Sequence, residues 1–175
     1  MKRILMSGLT VAMLSMSTVA DEPAKFEVGG LKFARPVKWE VQAAGGMRKA
    51  QFKVADAKTG AGAEVVFFHF GPQGGGGVKA NVDRWLGQFV EKGAALKSKS
   101  DEVTVGKSKV HYVSATGTYM DGPPLGEKTA RANYSLFGAI IEAADGSIFV
   151  KMTGPAALTQ SSIPAFKEMV EGALK

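Results

Sequence analysis

The sequence contains no cysteine, which excludes disulfides, thiolate metal sites and a lipid carried on an N-terminal cysteine. Core packing alone must hold the fold together. Only two histidines are present, His69 and His111, with no H-x-H or H-E-x-x-H spacing, and each lies between apolar neighbours where a structural role is expected. No metal site and no cofactor is expected. Catalytic signatures are missing as well: Ser108, in Gly106-Lys107-Ser108-Lys109-Val110, lacks the second glycine of a nucleophile elbow. No basic helix or lysine run occurs, and the scattered lysines read as a solvated surface, so nucleic acid is not an expected partner.

A continuous apolar span is also lacking. Ile4 to Met16 is interrupted by Ser7, Gly8, Thr10 and Ser15 and falls short of the roughly 20 residues that cross a bilayer. With Lys2 and Arg3 before it and the small residues Ser17-Thr18-Val19-Ala20 after it, the stretch reads as a secretory signal peptide over residues 1–20. The mature chain, 21–175, is expected to be one domain without a stable membrane span, exported to the periplasm or beyond the cell. Loss of Lys2 and Arg3 leaves 20 basic residues against 16 acidic ones, a mild excess that would favour an acidic protein partner or an anionic envelope polymer.

Hydrophobic periodicity then gives the elements. Phe26, Val28, Leu31 and Phe33 alternate around Gly29-Gly30 as a first hairpin. Arg48, Ala50, Phe52 and Val54 form the inner face of a strand over Met47 to Val54. Ala63 to Phe70 is apolar on both faces, as a central strand covered on two sides would be. Val78, Val82, Trp85, Leu86, Phe89 and Val90 make one stripe of a helix of three to four turns ending at Gly93. Two hairpins follow, the second turning at Asp145-Gly146, and a last helix is expected to be capped by Ser161 or Ser162, with Pro164 in its first turn. Strands joined by short turns, with a helix between them and another at the end, predict an α+β domain: a largely antiparallel sheet covered by helices.

The strand, Gly71 to Gly77 and helix together invite comparison with a phosphate cradle. The spacing argues against one, because Gly77 and Val78 stand where a P-loop requires lysine and serine or threonine, and Lys79 stands at the third glycine of G-x-G-x-x-G. A flexible connector is the expectation there. The stretch 121–131, Asp-Gly-Pro-Pro-Leu-Gly-Glu-Lys-Thr-Ala-Arg, is the better candidate for recognition, being a long proline-bearing loop between strands. Tyr119, Met120, Asp121, Leu125 and Arg131 are the candidate binding residues, with Tyr119, Met120 and Leu125 as exposed apolar contacts. No catalytic residue is assigned.

Gly30-Leu31-Lys32-Phe33-Ala34-Arg35-Pro36-Val37-Lys38-Trp39 resembles the G-x-x-F-x-x-P-x-x-W opening of the Mog1/PsbP-like superfamily, and the closing hairpin, Ile140 to Met152, with the helix Ser162 to Leu174 resembles its ending. That resemblance implies an α/β/α sandwich and a place among small exported bacterial proteins of unknown role. Members of that superfamily are accessory or binding proteins, so the resemblance implies a non-enzymatic binding or accessory protein of the cell envelope. Two alternatives stand beside it: a small exported hydrolase using a carboxylate or histidine site without a recognised signature, and a structural component of the envelope.

Overall fold

The computed structural model describes residues 23–123 and 125–175; the expected signal peptide lies outside them. Its main body is a seven-stranded antiparallel sheet. In chain order the strands are β3 (Trp39–Val41), β4 (Arg48–Ala55), β5 (Gly62–His69), β6 (Lys97–Val105), β7 (Ser108–Asp121), β8 (Thr129–Ile141) and β9 (Ile148–Pro155). They lie side by side as β3-β4-β5-β9-β8-β7-β6. A separate hairpin, β1 (Lys25–Val28) and β2 (Leu31–Ala34), precedes them. Helix α1 (Val78–Leu86) follows β5, and α2 (Ala156–Gly172) ends the fold.

Strand β5 holds the interior place its two apolar faces require, paired to β4 on one side and β9 on the other. Ala63, Val65 and Phe67 point to one face and Val66 to the other, all buried. The first face is closed by α2 and by the β1–β2 hairpin. Phe26 and Phe33 stack there and meet Phe67 edge-on at 5.1 Å each, while Phe166 of α2 meets Phe137 edge-on at 5.2 Å. The second face carries a smaller core, in which Trp85 and Phe89 pack on Val113, Leu136, Ile140 and Phe149.

The expected α+β class, an α/β/α sandwich with the sheet covered by helices, is therefore corrected: 47% of the described residues lie in strands and 19% in helices, and the fold is mainly β. Three physical causes account for the difference. Helix α1 stops at Gly87, not Gly93, and its nine residues cover only part of the second face. The opposite face is shared by a helix and a β-hairpin. Strands β7 and β8 continue pairing to Asp121 and Thr129, which takes both ends of the expected loop, 121 and 129–131, into the sheet and leaves 122–128 as the connection.

Local expectations at both helices also shift. Phe89 leaves α1 and bridges to Tyr119 instead, and Val90 is exposed. Helix α2 starts at Ala156, so Ser161 and Ser162 sit inside it, each hydroxyl donating back to the Leu158 carbonyl at 2.9 and 2.8 Å. Pro164 then falls mid-helix, where it lacks the amide that would bond to the preceding turn. The early start has a simple origin: β9 runs into α2 without a loop, and Pro155 supplies the extended residue from which the helix begins.

The glycine segment is a fitted connector, not a loose one. Asn81, buried in α1, donates its side-chain amide to the carbonyls of Gly75 and Gly77 at 2.7 and 3.0 Å, so the loop presents carbonyl oxygens inward where a phosphate cradle presents N–H groups. Gly75 has φ +84° and its missing Cβ would stand 2.5 Å from the Phe149 ring. A second close approach positions the whole helix. Gly138 on β8 has no side chain, and the Trp85 indole occupies that space, 2.3 Å from where a Cβ would lie.

Gly138→Ala should therefore destabilise the protein by about 1–3 kcal/mol in urea unfolding, since a well-packed core resists an added methyl group. Trp85→Ala alone should cost about 3–5 kcal/mol. In the double variant the Gly138→Ala penalty should shrink to a few tenths, and equal penalties in both backgrounds would refute the contact as the source.

Candidate functional site

The sheet face under α1 carries a polar cluster at the interior strand β9. Alternation along Ile148-Phe149-Val150-Lys151-Met152 places Lys151 beside Phe149 and Thr153 on that face, between Val66 of β5 and Gly138 of β8. A lysine in the middle of an interior strand is unusual. Among the described residues its ammonium bonds to neutral partners: Nζ donates to Gln88 Oε1 at 3.2 Å and to the Tyr119 hydroxyl at 3.3 Å. The Tyr119 hydroxyl in turn donates to Gln88 Oε1 at 3.1 Å.

Gln88 is delivered by the exit from α1. Gly87 ends the helix, and residues 88–90 then run along β7 beyond the reach of β6, with Met120 N–H donating to the Gln88 carbonyl at 2.8 Å and Val90 N–H to that of Thr118 at 2.9 Å. A bulge sits there, between Gly117 and Tyr119 of β7, opposite Asn133, whose φ of +56° is rare for a residue with a side chain. Glu91 secures the bulge by accepting from the Thr118 amide at 2.8 Å and its hydroxyl at 3.0 Å. Those bonds, the amide first, hold the Glu91 carboxyl below its ordinary range. The bend turns Tyr119 back over the face, against Phe89 at 5.4 Å and Tyr134 at 6.4 Å.

Charged residues complete the surroundings. A second bulge, between Arg48 and Ala50 in β4, moves Arg48 off the alternating face expected for it and onto the side of Gln51 and Glu64. Arg48 and Gln51 both donate to Glu64 Oε1, at 2.7 and 2.8 Å. At the hairpin tip Arg131 Nε lies 3.6 Å from Asp121 Oδ2, and Lys128 folds over the Gly122 and Pro123 carbonyls. The charges that act on Lys151 are thus Arg48, Lys128, Glu64 and Asp121, and both of those carboxylates are paired with arginines, Glu64 with Arg48 and Asp121 with Arg131.

Burial pushes the Lys151 ammonium down to about 8, against the attraction of Glu64 and with a further push from Arg48. Burial pushes the Tyr119 hydroxyl the other way, up to about 12, helped by the nearby Asp121 and Glu64 charges. At neutral pH the site therefore offers a protonated tyrosine, a lysine with a share of free amine, and an excess of positive charge.

No family model matches this chain, and no curated protein matches it. The site must be read from its own residues.

The candidate residues on β7 and β8 divide between two places. Tyr119 is buried, contrary to its expected exposure, because its ring is core and its hydroxyl is bonded. Met120 is half-buried on β7, and Asp121 and Arg131 form the ion pair at the base of the tip. Leu125 alone projects fully into solvent. Lys151, Gln88, Glu64 and Arg48 were not singled out by sequence reasoning, although a lone lysine within Ile148-Phe149-Val150-Lys151-Met152 is a visible signal.

The histidines do not join this cluster. His69 Nδ1 meets the Ser147 carbonyl at 3.3 Å. His111 lies between two acids, with Nε2 2.6 Å from Glu142 and Nδ1 3.4 Å from Glu102, and Glu102 also pairs with Lys109 at 2.9 Å. Among the described residues no group of three or more acidic or histidine side chains could hold a metal ion, and no helix is long and apolar enough to cross a membrane.

Lys151→Met should test the lysine's burial through pH. A lysine pushed down to about 8 in the fold and titrating near 10.5 when unfolded makes the unfolded state bind more protons between those values, so folding stability rises with pH across that window. Below pH 8 the full cost of holding the half-buried charge is present. The variant keeps the Tyr119–Gln88 bond, so it should be the more stable protein at pH 7 in urea unfolding, by on the order of 1–3 kcal/mol. The gap should close towards pH 10, and a gap that does not change with pH would overturn the assignment.

Proposed function

We propose that the chain is an exported, non-enzymatic binding or accessory protein of the cell envelope, engaging an acidic protein segment or an anionic envelope polymer through the β7–β8 tip and the cationic floor beside it. The observation carrying this reading is the charge arrangement: beside the Arg48–Glu64 and Asp121–Arg131 pairs stand Lys128 and Lys151, and among the described residues neither lysine is paired with a carboxylate. The tip supports it further. It is a hairpin stiffened by Lys128 across its carbonyls and by Asp121–Arg131 at its base, from which Leu125 projects uncovered. A rigid base with one exposed apolar residue suits recognition by a loop. Export rests on the pattern of residues 1–20, and kinship with the exported Mog1/PsbP-like proteins rests on the motif from Gly30 to Trp39.

A hydrolase is the second reading, and one observation favours it: His111 is held within 2.6 Å of Glu142 and 3.4 Å of Glu102, a carboxylate–histidine contact of the kind general-base catalysis uses. No serine or threonine hydroxyl is hydrogen-bonded to that imidazole among the described residues, so the binding reading is preferred.

Immobilised mature protein incubated with an envelope fraction should retain one stoichiometric partner or polymer. Retention should fall about tenfold for Leu125→Asp, and steeply as salt is raised, because exposed charge attraction is screened over roughly 10 Å at 0.1 M. Failure to retain anything, together with turnover of an ester or glycoside panel that is lost in His111→Gln, would replace this reading with the hydrolase.

A further inference from the structure

Strand β6 forms one edge of the sheet among the described residues. Its nine residues keep unbroken register with β7 and include neither a proline nor a bulge. Every residue from Lys97 to Thr104 is exposed. The opposite edge, β3, is only three residues long. Long edges are ordinarily shortened, bent or charged so that another strand cannot add to them, and β6 has only its charges.

The direction of its backbone groups follows from β7. The Lys109 carbonyl accepts from Glu142 N–H on the β8 side, at 2.9 Å, while the Thr118 carbonyl and Met120 N–H bond to residues 88–90 on the other side. Even-numbered residues of β7 therefore bond towards β6, and the register pairs them with Lys97, Lys99, Asp101, Val103 and Val105. Because bonding alternates along an antiparallel strand, the N–H and C=O groups of Ser98, Ser100, Glu102 and Thr104 point away from the sheet.

A second copy fits this edge. Two identical strands meeting antiparallel about a two-fold axis normal to the sheet keep the same face up, so the axis passes through a residue position. With the axis at Ser100, Ser100 faces its own copy and Ser98 faces Glu102, which joins the outward backbone groups of the two strands. Lys99 then stands opposite the second copy's Asp101, and Asp101 opposite the second copy's Lys99, in the closer of the two kinds of cross-strand pair. Within one chain Lys99 already lies 2.7 Å from Asp101, so the four charges alternate in sign around the axis. The same register lays the Lys97 stem over the exposed Val103. An axis at Lys99 or at Asp101 would set that charge against its own copy. The charges thus select one register instead of forbidding all of them.

We infer that β6 is a self-association edge, through which two copies pair antiparallel about Ser100, with reciprocal Lys99–Asp101 ion pairs, into one continuous sheet. The inference stands apart from the partner proposed above, and either can fail without the other.

Sedimentation velocity of the mature protein over a concentration series tests it. The protein should pass from monomer to dimer as concentration rises. Ser100→Pro removes an outward N–H and no bond to β7, a place where an edge strand tolerates proline; it should weaken the dimer about tenfold or more while the circular dichroism spectrum is kept. Lys99→Asp and Asp101→Lys, made singly, should each weaken it about tenfold, because like charges then face across the axis. The double variant, Lys99→Asp with Asp101→Lys, restores the alternation and should recover the dimer, a rescue that a merely destabilised fold would not give. A monomer at every concentration, a dimer unchanged by Ser100→Pro, or a double variant no better than either single one would each overturn the inference. So would a monomeric chain that retains an envelope protein and loses it in Ser100→Pro, since the edge would then take another protein's strand.

Discussion

The contact between the Trp85 indole and the bare backbone of Gly138 fixes the geometry on which the polar side of the molecule depends. A side chain at position 138 would lift the indole off β8, and α1 with it. With the indole seated, the helix ends at Gly87 directly above the interior strands, and the next residue, Gln88, comes within hydrogen-bond reach of Lys151. Phe89 and Val90 then run beside β7 and hold the bulge that turns Tyr119 inward. One missing methyl group thus sets the helix and the roof over the lysine.

The two faces of the sheet have been given different tasks by the same alternation. On one face, Phe52, Val65, Phe67, Phe137, Val150 and Met152 form a continuous apolar layer closed by α2 and the first hairpin, and this is the larger share of the hydrophobic driving force. The other face mixes a smaller aromatic cluster with Lys151, Thr153, Glu64 and Gln51. Its polar groups bond to one another or to Gln88 and Tyr119, as buried polar groups must. The ammonium is the exception in kind. It is bonded, but only to neutral oxygens, and that is why burial depresses it.

Much of the sheet was legible in the sequence, for reasons that particular residues make plain. Period-two alternation in Phe52-Lys53-Val54 and the two-sided apolar run around Val65-Val66-Phe67 report burial directly, and Asp145-Gly146 marks its hairpin. The ends of elements were less legible. The apolar stripe Trp85-Leu86-Phe89-Val90 continues past Gly87 because Phe89 is buried by β7 and not by helix, and sequence spacing does not separate the two. Pairing beyond the bulge at Gly117 drew both ends of the expected loop, Asp121 and Thr129 to Arg131, into the strands, since a bulge and a positive φ at Asn133 let those polar residues stay in register. Lys151 converges with Tyr119, Glu64 and Arg48 only through strand order, which no local pattern encodes.

The central claim is that the fold holds a half-buried lysine ammonium bonded to neutral oxygens, with no carboxylate bonded to it among the described residues. It is tested most directly by an NMR titration of the Lys151 side chain in protein labelled at lysine, with Lys151→Met identifying its resonance. The account predicts a midpoint near 8, well apart from the other lysines. A midpoint at or above 10.5, the ordinary lysine value, would mean that the side chain is solvated or carboxylate-paired and would contradict the account.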